Sequence, residues 1–127
     1  MFSINYNTIN DVFMIRFPEL TSLCEEQINL WGSKDIPPHC FLGDVLNGYI
    51  TELLRINSDK QQINKIFKFY EEMANSNDEY IKNLLQVTLL EYLWDEDMVF
   101  NNALKYMQLK TKEINREIAL YLKPPLS

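Results

Sequence analysis

Tyr80-Ile-Lys-Asn-Leu-Leu-Gln-Val-Thr-Leu-Leu-Glu-Tyr-Leu-Trp94 runs without a glycine or a proline and is mostly apolar. It is longer than the ~4–8 residues of a buried strand, so it reads as a helix. A helix apolar over most of its circumference belongs inside a fold, which makes this one the expected central element. Its start is marked by Ser76 with Glu79 three residues later, the pattern of a capping box. Its end is marked by the acidic break Asp95-Glu96-Asp97.

The same periodicity extends in both directions. Downstream, Val99, Phe100, Ala103, Leu104 and Met107 line one side of a sixth helix. Ile114, Ile118, Tyr121 and Leu122 line a seventh over about residues 110–122, and Pro124-Pro125 end the fold. Upstream, Ser58 with Gln61 opens a fourth helix, with Ile63, Ile66, Phe67, Tyr70, Met73 and Ala74 inward. A third helix spans about residues 39–56, its apolar face opposed by Asp44, Asn47, Thr51, Glu52 and Arg55. Residues 32–38 form the clearest loop. Before it lie a short helix over residues 8–16, with Ile9, Val12 and Phe13 inward, and a second opened by Pro18 and closed by Gly32. That second helix aligns Leu20, Leu23, Cys24, Ile28 and Trp31 in one stripe. The expectation is an all-α domain over residues 1–127. About seven helices pack as antiparallel hairpins, in a bundle or a short solenoid-like stack.

Composition supports this. In 127 residues there are three glycines and five prolines, too few for the many tight turns of a sheet protein. Sixteen aromatic residues supply core area. The net charge of −6 argues against nucleic acid as a partner, although Lys105, Lys110, Lys112 and Arg116 could form a local basic stripe. No stretch approaches the ~20 apolar residues of a membrane span, so no membrane role is expected. The N-terminus lacks the basic and apolar regions of a signal peptide. Cys24 and Cys40 read as reduced core thiols. Together these point to the cytoplasm.

No pattern carries catalytic or cofactor chemistry. Gly43 and Gly48 have phosphate-loop spacing, but Tyr49 and Ile50 stand where Lys and Ser or Thr belong. The glycines instead suit a close approach by another helix or by a partner. His39, the lone histidine, has no ligand spacing to Cys24 or Cys40, so no metal is expected. On a wheel of about 100° per residue, Glu91 falls between Leu84 and Val87. A buried carboxylate there needs a partner. Backbone N–H groups or Arg16 would make its role structural. A shifted pKa or direct partner contact would make it functional. The acidic groups Glu71-Glu72 and Asp95-Glu96-Asp97 are either solvated surface or a patch that steers a basic partner. Trp94, beside the second, is either core or an aromatic anchor.

The segment from Tyr80 to Asp97 resembles a run in small, all-helical bacterial proteins of largely unknown function, some of which are similar to immunity proteins of polymorphic-toxin and contact-dependent inhibition systems. Its Asn-Leu-hydrophobic-x-Val stretch leads to Leu-Glu-x-Leu and an acidic turn. The resemblance covers about residues 77–122, with Phe17-Pro18-Glu19-Leu20 fitting more loosely. It implies structural positions at Asn83, Val87, Glu91 and Leu93. Trp94 departs from the Gly or polar residue usual in the turn. The function it implies is non-enzymatic: binding and neutralising a cognate toxin domain, a basic nuclease being one chemistry that suits the charge. Glu71, Glu72, Trp94, Asp95, Glu96 and Asp97 are the candidate partner-binding residues of a monomer or weak homo-oligomer. The alternatives are an oligomeric helical scaffold or regulatory domain, and a small hydrolase in which Glu91 or His39 meets a second polar group.

Overall fold

The computed structural model describes residues 4–122, so the stop expected at Pro124-Pro125 lies outside the described residues. Among those residues the fold is all-α, with seven α-helices and no strand. They are α1 (Ile9–Arg16), α2 (Thr21–Trp31), α3 (Pro38–Ile56), α4 (Lys60–Ala74), α5 (Glu79–Asn83), α6 (Asp97–Leu104) and α7 (Leu109–Tyr121). A short 3-10 turn, Pro18–Leu20, separates α1 from α2. Pro18 occupies its first position, where the missing N–H costs nothing. Gly32 closes α2 in the left-handed region at φ 70°, as expected of a C-terminal glycine.

Two starts shift from expectation. Asp59, not Ser58, caps α4, its carboxylate accepting from Gln62 N at 3.2 Å. Asp78, not Ser76, caps α5, accepting from Tyr80 N at 2.9 Å. Ser76 is otherwise engaged: its hydroxyl donates to Ile4 O and accepts from Asp78 N.

The largest departure lies in the central element. It is not one α-helix from Tyr80 to Trp94. After α5 it widens into a π-helix over Leu84–Leu90, then tightens into a 3-10 helix over Glu91–Asp95. Leucine spacing explains the change. Leu84 and Leu85 recur five residues later as Leu89 and Leu90, and Leu93 follows three after Leu90. A π turn closes between residues five apart and a 3-10 turn repeats every three, so this winding keeps all five leucines inward. All five are fully buried, while Val87 is 41% exposed.

Helix α3 holds the widened turn in place. A Cβ on Gly43 would sit 3.0 Å from Thr88 Cγ2, so the close approach anticipated for this glycine occurs here. One turn on, Asn47 Nδ2 donates to the Thr88 carbonyl at 3.1 Å. Gly48 meets nothing within 4 Å and has no such role.

Buried residues from all seven helices join one core. Its N-terminal end is aromatic: Phe13 stacks on Phe17 at 4.8 Å, and both meet Phe69 of α4 edge-on. Each fully buried side chain of this size contributes on the order of 1.5–3 kcal/mol. Helices α4 and α5 pack together as neighbours, but α6 rests on α3, and α7 rests on α4 and the π-helix. Thr51 and Phe41 of α3 are also buried, Thr51 against its expected place on the polar face. Trp31, expected on the inward stripe of α2, is 46% exposed.

Candidate functional site

The 3-10 geometry determines what the acidic turn presents. Residues three apart eclipse one another, so Leu90 and Leu93 face the core while Tyr92 and Asp95 share the outer side. Glu96 is extended (φ −129°, ψ 126°), and α6 starts at Asp97. Asp95 and Asp97 are exposed and form no hydrogen bond or ion pair among the described residues. Tyr92 and Met98, 43% and 60% exposed, flank them.

The platform beneath is braced from three sides. Arg55, near the end of α3, grips both Glu96 oxygens at 3.1 and 2.5 Å and donates to Glu52 at 2.6 Å. The hydrogen bond and charge of Arg55 hold the Glu96 carboxyl below the usual carboxylate range. Asn102 of α6 donates to Leu54 O at 2.8 Å, and Tyr106 donates to Asn57 Oδ1 at 2.9 Å. Trp94 Nε1 donates to Asn115 Oδ1 of α7 at 3.0 Å, and its ring lies 4.4 Å from that of Phe100. Trp94 is therefore half-buried, its indole tied to α7 and its ring to α6.

The structure does not gather the other candidates here. Glu71 reaches from α4 to the start of α7, where its carboxylate accepts from Lys110 N, Thr111 N and Thr111 Oγ1 at 2.9–3.0 Å. Gln108, at the N-cap of α7, makes no side-chain cap bond, so Glu71 supplies one from another helix. Partial burial pushes the Glu71 carboxyl up, but the backbone N–H groups of Lys110 and Thr111 outweigh it and hold it below the ordinary range. These contacts commit the Glu71 carboxylate to the start of α7. Glu72 forms a two-pronged pair with Arg16, at 2.7 and 3.0 Å.

Glu91 is half-buried, not the buried carboxylate expected. Its partner is neither backbone nor Arg16 but the Tyr121 hydroxyl, which donates to it at 2.5 Å and accepts from Gln86 Nε2 at 3.0 Å. The wheel misplaced it because the π turns advance fewer degrees per residue than an α-helix. His39 has both ring nitrogens engaged, Nδ1 with Tyr6 Oη at 2.8 Å and Nε2 with Asn83 Oδ1 at 3.1 Å. No group of three or more His, Cys, Asp or Glu among the described residues is placed to hold a metal ion.

Four concavities lie near these residues, one of them, of about 530 Å³, lined by Glu79, Tyr80, Lys82, Asn83 and Gln86. An open cleft of about 670 Å³ separates Asn5 from Lys68 and the Asn75–Asn77 turn. Another, of about 400 Å³, runs from that turn between Lys82 and Lys110. A small cavity of about 110 Å³ lies under the acidic turn, lined by Thr51, Arg55, Tyr92, Asp95, Glu96 and Val99. Neither Glu91 nor His39 lines any of the four. Sequence reasoning had Asp95 and Glu96 but missed Thr51, Arg55 and Tyr92. The signal for Tyr92 was the three-residue step to Asp95, legible only once the 3-10 winding is known.

No helix among the described residues is long and apolar enough to cross a membrane. Residues 10–123 match the family model described as Domain of unknown function (DUF7674), and the chain belongs to that family. No curated protein and no solved structure matches it.

Proposed function

We propose that this member of the family is a non-enzymatic protein-binding module of the immunity type, which captures a basic toxin domain and covers its active face. The observation that carries the reading is the turn Asp95–Asp97. It presents two uncommitted carboxylates, beside exposed Tyr92 and Met98, on a base fixed by Arg55, Trp94 and Asn102. A base already rigid loses little freedom on docking. The surplus of negative charge draws a basic partner from a distance, and fast capture matters when the partner is lethal. Neutralisation of this kind takes place in the cytoplasm, where the free thiols of buried Cys24 and half-buried Cys40 would persist.

The alternative, self-association, would have to draw on Leu109 and Leu120, 70% and 87% exposed on α7. Charged Glu113 and Arg116 lie between them along the helix, and isolated surface leucines need no partner.

The test is association kinetics with the basic toxin domain. Asp95→Lys with Asp97→Lys slows association by about tenfold or more at low salt and flattens its salt dependence, with a small fall in melting temperature from the charge reversed in the first turn of α6. An unchanged on-rate and salt slope removes this turn from the interface.

A further inference from the structure

We infer that Val87, Tyr92 and Tyr121 form a ridge that is the apolar centre of the partner interface, fitting a shallow apolar pocket within the partner's basic surface. This rests on the immunity reading above and extends its contact from the acidic turn to the outer side of the π-helix. Gln86 and Glu91 stand five residues apart, and both reach the Tyr121 hydroxyl, Gln86 Nε2 donating at 3.0 Å and Glu91 accepting at 2.5 Å. A five-residue step therefore marks one outer row of the π winding. The same step leads from Val87 to Tyr92 on the next row, and a three-residue 3-10 step carries that row on to Asp95. The two rows are neighbours, so the Tyr121 side chain, 54% exposed, flanks Val87 and Tyr92.

Rigidity separates this ridge from scattered surface side chains. The Tyr121 hydroxyl is held as donor and as acceptor at once, which fixes an exposed ring. Val87 stands on the winding that α3 clamps through Thr88. A tyrosine fixed in advance brings large contact area at low entropic cost, and tyrosine is among the residues that carry most binding energy. Val87 and Tyr121 line none of the four concavities, so the molecule offers a projection here and the partner the recess. Charge decides which partner covers it. Glu91, Asp95 and Glu117 border the ridge, against Lys82 one five-residue step before Val87. Partial burial, the bond to Glu91 and the charges of Glu91 and Glu117 push the Tyr121 phenol above its ordinary value, so it stays a donor. An apolar centre inside an acidic border complements an apolar pocket inside a basic one. Turn and ridge then act on different rates: exposed charge sets encounter, and covered aromatic contact sets escape.

The test measures association and dissociation separately, with the full chain and, as probe, the purified C-terminal domain encoded by the adjacent upstream reading frame. Tyr121→Ala, and Val87→Ala with Tyr92→Ala, should each speed dissociation by about tenfold or more. The association rate and its salt slope should stay within about twofold of the natural protein, the reverse of the Asp95→Lys, Asp97→Lys variant. Tyr121→Phe keeps the ring but loses the bonds that fix it, so dissociation should quicken by only about threefold. All three side chains are exposed, and melting temperatures check that each variant is folded. Dissociation at the natural rate from both alanine variants, with the domain still bound, would overturn the ridge and leave the immunity reading standing. A domain that the natural protein does not bind would overturn both.

Discussion

Tyr70 packs its ring against Phe67 at 5.2 Å, yet its buried hydroxyl has no partner among the described residues. Burial alone pushes its ionisation far above the usual tyrosine range. Tyr70→Phe keeps the ring and removes the unpaired oxygen, so it should stabilise the fold by about 1 kcal/mol, a rise near 4 °C in thermal unfolding. A fall would mean the hydroxyl has a partner in solution. Glu71 is the opposite case, a surface-like residue with a structural role. Glu71→Gln should cost about 1 kcal/mol at neutral pH, in the range of a lost helix cap. Because its folded pKa is lowered, the charged form favours folding. The contribution is complete above the ordinary glutamate value of about 4.3 and disappears as pH falls through the lower folded value. Urea unfolding at pH 7 and pH 3 should therefore show the two proteins converging in acid. A gap as wide at pH 3 as at pH 7 would show that the carboxylate charge is not what anchors α7.

The element that sets the shape of the molecule is the run 84–95, and two glycines of α3 report on it. Gly48→Ala fills open space in a helix interior and should stabilise by about 0.5–1 kcal/mol. Gly43→Ala gains the same propensity but drives a methyl to 3.0 Å from Thr88, so it should fail to stabilise until Thr88→Ala is added. Thermal unfolding of the singles and the double checks this; equal gains from both glycines would mean that α3 does not press on the π-helix. The helix boundaries were largely legible in the sequence, because Pro18, Gly32 and the inward residues of α1, α3 and α4 follow the α period. The winding of 84–95 was not, since a wheel at a fixed angle assumes the very period that changes. The five-residue leucine step was visible in the letters but has meaning only against a π turn. The caps slipped because Asp59 and Asp78 compete with the nearby serines, and only the path of the chain decides which carboxylate faces the helix start.

At the scale of the whole molecule, its charge matters through where it is left free. Glu71, Glu72 and Glu96 are held by α7, Arg16 and Arg55 respectively, so an acidic letter is a poor guide to an available charge. Asp95 and Asp97 were legible as candidates, but Thr51, Arg55 and Tyr92, which line the cavity under the turn, were not. Arg55 and Thr51 come from a helix more than thirty-five residues away in sequence, and no local pattern couples them to the turn. Capture of a toxin domain is the central claim, and survival of a sensitive host tests it most directly. The C-terminal domain encoded by the adjacent upstream reading frame would be expressed with this protein, without it, and with the Asp95→Lys, Asp97→Lys variant. Growth should stop with the domain alone, resume with the natural protein, and resume poorly with the variant. A domain that is harmless, or that kills whether or not the protein is present, would contradict the immunity reading.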